Sequence, residues 1–224
     1  MNKDELFDEN CTACRRLAGH LATVRREFPA YHAAPVAPFG AARPGLLIVG
    51  LAPGLHGANA TGRPFTGDHA GIILYETLFK YGFSTGPRST HARDSLKLRN
   101  CRITNAVKCL PPQNKPTTAE VLQCNGFLRN EITTLPQATV IMALGAIAHG
   151  AVLRALALRP KAYPFGHGRC YPLERGGWLI ASYHCSRYNT QTRRLTAAMF
   201  EAVFAQAASL IASAPPRRRE QQLK

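Results

Sequence analysis

The sequence has 224 residues, of which 46% are hydrophobic, and 28 Lys and Arg against 13 Asp and Glu give it a net charge of +15. This composition argues against a disordered chain, and no run approaches the roughly 18 apolar residues that a membrane span needs. The charge favours a polyanionic partner, most simply nucleic acid, over an anionic membrane, for which the sequence carries no lipidation signal. The first residues lack the apolar segment of a secretory signal, so we expect a cytoplasmic protein.

In chain order, the first predicted elements are a strand and a helix. Residues 29–45 are rich in Pro and Ala and predict an irregular lead-in. The apolar run at 46–50 predicts a buried parallel strand. A helix is predicted over 71–81, where four apolar residues recur at helical spacing: Ile72, Tyr75, Leu78 and Phe79.

The middle of the sequence continues this alternation. Segments rich in β-branched and apolar residues at 102–107 and 139–144 predict two further strands. Between them, Thr117 and Glu120 have the spacing of a capping box, which marks the start of a helix. A third helix is predicted near 146–158, directly after the third strand.

The last two elements are a strand over 178–182 and a helix from about Thr192 to Ser213. Alternating strands and helices predict an α/β fold, a three-layer α/β/α sandwich with a central, mostly parallel four-stranded sheet. We expect residues 1–213 to form a single domain and the Arg-rich residues 214–224 to form a basic disordered tail.

In such sheets, ligands bind beyond the carboxyl ends of the parallel strands. The segments at these ends are residues 51–54, 108–109, 145–146 and 183–186, and they contain Pro, Gly, Cys and His. We therefore expect the functional site at this edge of the sheet.

The seven cysteines are an odd number and are unevenly spaced, which argues against a disulfide framework. Cys11 and Cys14 form a CxxC, and a second pair, Cys109 and Cys124, flanks a proline-rich loop. Four thiolates suit either a tetrahedral zinc ion or a [4Fe–4S] cluster. The residues alone favour neither metal group, and ordinary buried thiols are a third interpretation.

Four segments of the sequence together resemble the uracil-DNA glycosylase superfamily: GLAPG with HGANATGRPFTGD between residues 50 and 68, NAVKC at 105–109, PPQNKP at 111–116 and HCSRYNT at 184–190. Within that superfamily, the chain resembles the family 5 (type B) iron–sulfur enzymes, with the motifs in the family's order. The resemblance implies a monofunctional DNA glycosylase of base excision repair that hydrolyses the N-glycosidic bond of uracil and of other deaminated bases. It also implies a structural [4Fe–4S] cluster held by four cysteines: Cys11, Cys14, Cys109 and Cys124. We expect a monomer.

Excision of a base requires a flipped nucleotide, a stacking surface, polar groups that read the base edge, and stabilisation of the charges that develop. Phe65 is the candidate for stacking, unless it is a core aromatic. The Asn105 amide offers a donor and an acceptor, which match O4 and N3–H of uracil and mismatch cytosine; a turn-capping amide is the alternative. His184 can donate a hydrogen bond to O2 of the leaving base, or it is structural.

Two loops are expected to contact the rest of the substrate. The first supplies Gly50, Ala52, Pro53 and Gly54. In the second, Ser186 reaches phosphate, and Arg187 and Tyr188, followed by Asn189, are candidates to fill the gap left by the flipped base, or are ordinary exposed loop residues. Two positions depart from the family pattern, because Cys185 stands where the family often has Pro and Ala60 where it often has a basic residue.

Ala52 stands where many relatives in the superfamily carry an Asp or Asn that positions the attacking water. Asp68 is the nearest acidic residue in the motif, and its competing role is to cap the following helix. We expect Asp68 to contribute to catalysis, with Asn105 and His184 carrying more of it if Asp68 does not.

Two other functions are compatible with parts of the sequence. A non-catalytic iron–sulfur or zinc module that binds nucleic acid would explain the charge and the cysteines, but not the loop at 50–68 or His184. An enzyme similar to family 4, specific for uracil alone, is disfavoured by Ala52.

Overall fold

The computed structural model describes residues 6–213, so the predicted basic tail at 214–224 lies outside the described residues. One six-stranded sheet forms its centre, in the order β1-β3-β2-β4-β6-β5. The strands are β1 (Phe39–Gly40), β2 (Leu46–Gly50), β3 (Cys101–Asn105), β4 (Val140–Leu144), β5 (Cys170–Pro172) and β6 (Trp178–Ser182).

The four inner strands are the predicted ones, and they pair in parallel, as expected. The predicted number of strands was wrong, because β1 and β5 add antiparallel edges to the sheet. These edge strands have only two and three residues, too few to show a strand periodicity. Strand β1 also lies inside the Pro-rich segment that was predicted to be irregular.

The helices are α1 (Arg15–Glu27), α2 (Ala58–Thr61), α3 (His69–Lys80), α4 (Thr118–Thr134), α5 (Ala146–Ala155), α6 (Arg187–Gln191) and α7 (Ala197–Ser213). The predicted capping box begins α4: Thr117 Oγ1 accepts from the Glu120 N–H at 3.3 Å, and the Thr117 N–H donates to Glu120 at 2.7 Å. Helix α1 had no counterpart among the predicted elements. None of the helices within residues 6–213 combines the length and the apolar character needed to cross a membrane.

The side chains of β2 show how the three layers form. Leu46 and Ile48 pack on one face of the sheet, in a core that includes residues of α3 and α7. Leu47 and Val49 point to the other face, where α4 and α5 pack. Because both faces are covered, β2 and β4 are buried and apolar along their whole length, as in a parallel sheet, whereas β3 carries three polar residues, Arg102, Thr104 and Asn105.

Two helix predictions need correction. The last helix, α7, begins at Ala197 and not near Thr192 as predicted, because Arg193 has a positive φ of 56° and the chain turns there to bury Leu195 in the core; the short helix α6 before it was not predicted. In α3, Tyr75 and Leu78 are buried as predicted, but Ile72 and Phe79 are 56% and 49% exposed. The buried stripe of α3 follows Ala70, Leu74 and Leu78, so the periodicity was right for a helix and wrong for the face.

Candidate active site

The carboxyl ends of β2 and β3 bring the first loop against Asn105. Gly50 pairs in register with Asn105, and a Cβ at Gly50 would lie 2.5 Å from Oδ1 of Asn105 and 2.7 Å from the Phe65 ring. The lack of a side chain at Gly50 therefore allows the amide and the ring to meet. Asn105 is 3% exposed, and its amide makes no hydrogen bond to any residue in 6–213. The amide atoms of Asn105 are not completely buried, so they retain a small contact with solvent and can form hydrogen bonds to a ligand.

Phe65 lies in the loop between α2 and α3 with a positive φ of 53°, which is unusual for a bulky residue. Neighbouring groups hold the loop in this conformation. The Tyr75 hydroxyl donates to the Pro64 carbonyl at 2.9 Å, and any side chain at Gly71 would collide with the Phe65 carbonyl. Such backbone conformations persist where the surroundings fix them, often at functional sites.

His184 follows β6 and stacks on Phe65, with ring centroids 5.8 Å apart and an angle of 27° between the planes. The Asn189 side chain donates to the His184 carbonyl at 2.8 Å, which fixes the backbone there. Burial lowers the pKa of His184, and the negative charge of Asp68 opposes this shift. The imidazole is therefore neutral at pH 7 and donates from one ring nitrogen.

Asp68 has two contacts, one for each carboxylate oxygen. Its Oδ1 accepts from the Gly71 N–H at 3.0 Å and caps α3, as the alternative interpretation of this residue predicted. Its Oδ2 faces the first loop, 3.5 Å from where a Cβ at Gly54 would lie, and any side chain at Gly57 would collide with it. Capping and a role in the cavity are thus compatible.

An open cavity at this edge is lined by Leu51, Ala52, Gly54, Leu55, His56, Gly57, Asp68, His69, Ala70, Asn114, His184, Ser186 and Arg187. Asp68 is the one carboxylate among these described residues, which matters because Ala52 supplies none. Pro53 is buried below this loop. Three of the lining residues, His56, His69 and Asn114, were not predicted as site residues, although all three lie in or beside the motifs. His56 accepts or donates a 2.8 Å hydrogen bond with Tyr31, and His69 a 3.0 Å bond with Thr190.

The second loop continues as the short helix α6. Ser186 caps this helix by accepting from the Asn189 N–H at 3.4 Å, so its hydroxyl has a structural contact. Arg187 is exposed, and Tyr188 is 70% exposed, as expected of residues that contact DNA. Cys185 is completely buried, with its thiol 3.4 Å from the Ala70 carbonyl. This departure from the family pattern is therefore accommodated in the core.

The four motif cysteines line one cavity, between the segment before α1, the loop after β3 and helix α4. Burial, and then the charge of Cys124, raise the pKa of Cys14 to about 11 and that of Cys109 to about 12. The Cys124 sulfur accepts a hydrogen bond from the Lys108 N–H at 3.3 Å. Within residues 6–213, no three His, Cys, Asp or Glu side chains are arranged to hold a single metal ion. The remaining three cysteines lie elsewhere, and none of the seven is in a disulfide.

A buried polar network joins the candidate active site to this cysteine cavity. Lys108, three residues after Asn105 and next to Cys109, is 1% exposed. Its ammonium donates to the Thr104 hydroxyl and lies 3.4 Å from the Glu131 carboxylate. Glu131 also accepts from Arg102 at 2.6 Å and from Thr104 at 2.8 Å. These buried contacts thus fix the segment that carries both Asn105 and Cys109.

The α/β/α fold, with Phe65, Asn105 and His184 at the carboxyl edge of its sheet, is the arrangement expected of a DNA glycosylase, the class that the sequence motifs indicated. The Uracil DNA glycosylase superfamily matches residues 37–208, and the chain belongs to this superfamily, as predicted. It is 45% identical over 215 residues to the Type-5 uracil-DNA glycosylase of Thermus thermophilus, covering 92% of this chain and 97% of that protein. The Type-5 enzyme of Pyrobaculum aerophilum is 40% identical, with 89% of this chain and 88% of that protein covered. The Type-4 enzyme of the same organism is 35% identical over 62% of this chain and 65% of its own. These matches confirm the resemblance to family 5.

Proposed function

We propose that the protein excises uracil from DNA, by hydrolysing the N-glycosidic bond and leaving an abasic site, in base excision repair. The observation that carries this proposal is the buried Asn105 amide, which has no described hydrogen-bond partner and faces Phe65 at the end of β3. A flipped base supplies the missing partners, since uracil offers an acceptor at O4 and a donor at N3–H.

In this mechanism, Phe65 provides the apolar face for the flipped base, and Asn105 reads its edge. His184 is neutral, because burial lowers its pKa, and it donates to O2 as negative charge develops on the departing uracil. Asp68 is the carboxylate in the cavity, and it stabilises the cationic sugar or orients the water that attacks C1′. We also propose that the enzyme is a monomer and that it acts in the cytoplasm.

We also propose that Cys11, Cys14, Cys109 and Cys124 hold a [4Fe–4S] cluster. The support is the donor set: four thiols line one cavity, and burial, together with the charges of the three other thiols, raises the pKa of Cys109, an effect that a positively charged group would offset. A cluster binds each thiolate at a different iron, so it suits sulfurs that surround a volume. The cluster would tie the segment before α1 to the loop after β3 and to α4, and the chemistry at the base would not involve it.

The base range is part of the proposal. Similarity to the Type-5 proteins extends over about nine-tenths of the chain, whereas similarity to the Type-4 protein covers 62% of it. Together with Ala52, this supports activity on uracil and on other deaminated bases over a uracil-only enzyme. A non-catalytic module is disfavoured, because Phe65 stacks on His184 and the Asn105 amide lies with the Phe65 ring next to Gly50.

Excision from labelled oligonucleotides tests the function directly. Purified protein is incubated with duplexes that carry uracil, hypoxanthine or xanthine, and abasic sites are then cleaved with alkali. We expect cleavage at uracil and at one of the other bases or both, and large losses in the variants Asn105→Ala and His184→Ala. Tyr171→Phe, at a hydroxyl bound to the Pro164 carbonyl away from the cavity, is the matched control and should retain activity. Absence of cleavage at every base by the wild-type protein would refute the proposal.

A further inference from the structure

A groove leads away from the cavity of the candidate active site, along α3. The groove and the cavity share His56, Asp68, His69 and Arg187 in their walls, so the two are continuous. The groove is also lined by residues 88–90, which belong to the segment between α3 and β3. We call residues 84–98 of this segment the basic loop, because it contains Arg88, Arg93 and Lys97 and a single acidic residue, Asp94.

The basic loop is held in one conformation by its own polar contacts. Its two ends pair, since the Thr85 N–H donates to the Lys97 carbonyl at 2.9 Å and the Lys97 N–H donates to the Thr85 hydroxyl at 2.9 Å. At its centre, Asp94 accepts from the Thr90 N–H at 2.9 Å and from the Leu96 N–H at 3.1 Å. The charge of Asp94 is therefore directed into the loop by these hydrogen bonds, and the exposed charges of the loop are the positive ones of Arg88, Arg93 and Lys97.

A buried arginine attaches the basic loop to the loop that carries Phe65. Arg63 is 5% exposed, and its guanidinium donates to Asp94 at 2.5 Å, to the Ser89 hydroxyl at 3.0 Å and to the Ala92 carbonyl at 2.6 Å. The Ser89 hydroxyl is also 2.8 Å from the Thr66 hydroxyl. Because Phe65 is only two residues after Arg63, these bonds fix the position of residues 88–90 relative to Phe65.

The exposed groups of this wall match a phosphate chain. Arg88 and Thr90 are exposed, and Arg88 has no ion-pair partner within residues 6–213. Arginine and hydroxyl side chains are the groups that most often contact DNA phosphates, and a fixed loop binds them at a low entropic cost. Glu76 faces the same groove from α3, which disfavours a phosphate there and favours a path along the arginine side.

We infer that the basic loop binds the phosphates of the damaged DNA strand next to the flipped nucleotide, with Arg88 as the principal contact. This inference rests on the proposed function, since it assumes that the flipped base enters the adjoining cavity. The loop would act as a second anchor, opposite the α6 loop, that holds the strand while the base is extruded.

The salt dependence of binding to an undamaged duplex tests the inference without requiring catalysis. Removing one interaction with a phosphate should reduce the slope of log Kd against log salt concentration by about 0.9. We expect this reduction in Arg88→Ala. Arg154→Ala is the matched control, because Arg154 is an exposed arginine in the last turn of α5, on the other face of the sheet. It should leave the slope unchanged.

The position of the contact is tested with neutral methylphosphonates placed singly at phosphates on either side of a uridine that resists cleavage. At one of these positions, the methylphosphonate and Arg88→Ala should weaken binding together no more than either change alone. Equal slopes for Arg88→Ala and the wild type, or additive losses at every phosphate tested, would overturn the inference. A wild-type protein that binds with the Arg88-dependent slope but excises no base would overturn the proposed function and leave the phosphate contact supported.

Discussion

Replacing Asp68 by Asn separates the two contacts of this carboxylate. An Asn retains an oxygen that can accept from the Gly71 N–H, and Asn caps helices about as well as Asp, so the free energy of unfolding should change by only a few tenths of a kcal/mol. The negative charge beside Gly54 and Gly57 is lost, however. Removing one preorganised electrostatic group typically costs about 2.7–4 kcal/mol in the transition state, so we expect excision to slow by about 10²–10³-fold.

Single-turnover excision of uracil measures the rate, and thermal unfolding measures the stability. Asp68→Ala should slow excision as Asp68→Asn does. It should also lower the free energy of unfolding by about 1 kcal/mol, because the helix cap is removed. Thr117→Ala removes a comparable cap from α4, away from the cavity, and should lower stability by a similar amount without slowing excision. A wild-type rate for Asp68→Asn would refute the reasoning and shift the catalytic contribution to His184 and Asn105.

Three further predictions address the cysteine cavity, the contact at Gly50 and the anchor of the basic loop. The purified protein should be brown, and Cys124→Ser should lose this absorbance and lower the melting temperature while Cys170→Ser retains both; a colourless wild-type protein with one zinc would contradict the cluster. Gly50→Ala should remain folded by circular dichroism but lose most uracil excision, because its Cβ would displace Asn105 and Phe65; a wild-type rate would show that their contact is dispensable. Burial tends to raise the pKa of Asp94, but hydrogen bonds from Arg63 and the backbone outweigh this and lower it to about 2. Arg63→Met should therefore be less stable than the wild type at pH 7, and the part of this difference due to the Asp94 charge should disappear in urea titrations as the pH falls from about 4 towards 2; a difference independent of pH would contradict this ion pair.

The sequence predicted the inner sheet well, because β2 and β4 are continuous apolar runs and the other two inner strands are rich in β-branched and apolar residues. Val140–Leu144 and Trp178–Ser182 agree with the predicted ranges to within one residue. The edge strands could not be found in the same way. Strand β5 ends in Pro172 and pairs on one side only, so its residues need not be apolar.

The candidate site was predictable where single residues carry the chemistry, and less so where backbone geometry does. Phe65, Asn105 and His184 were identified by type and motif, and the fold brings them together. The burial of Arg63 was not predicted, because an arginine in a Gly-rich and polar segment is usually exposed. Its hydrogen bonds to Asp94, Ser89 and the Ala92 carbonyl explain why it is inside, and no local pattern connects residues about 30 positions apart.

Buried ion pairs hold the segments that carry Asn105 and Phe65, the two residues proposed to contact the base. The Asn105 segment is fixed by the ion pair of Lys108 with Glu131, and the Phe65 loop by the buried Arg63. Fixing a group in advance lowers the barrier because little reorganisation remains when charge develops on the base. None of these contacts involves Ala52, so the geometry of the cavity does not depend on the side chain at that position. We therefore expect substitutions at Ala52 to disturb the geometry of the site far less than substitutions at Lys108 or Arg63.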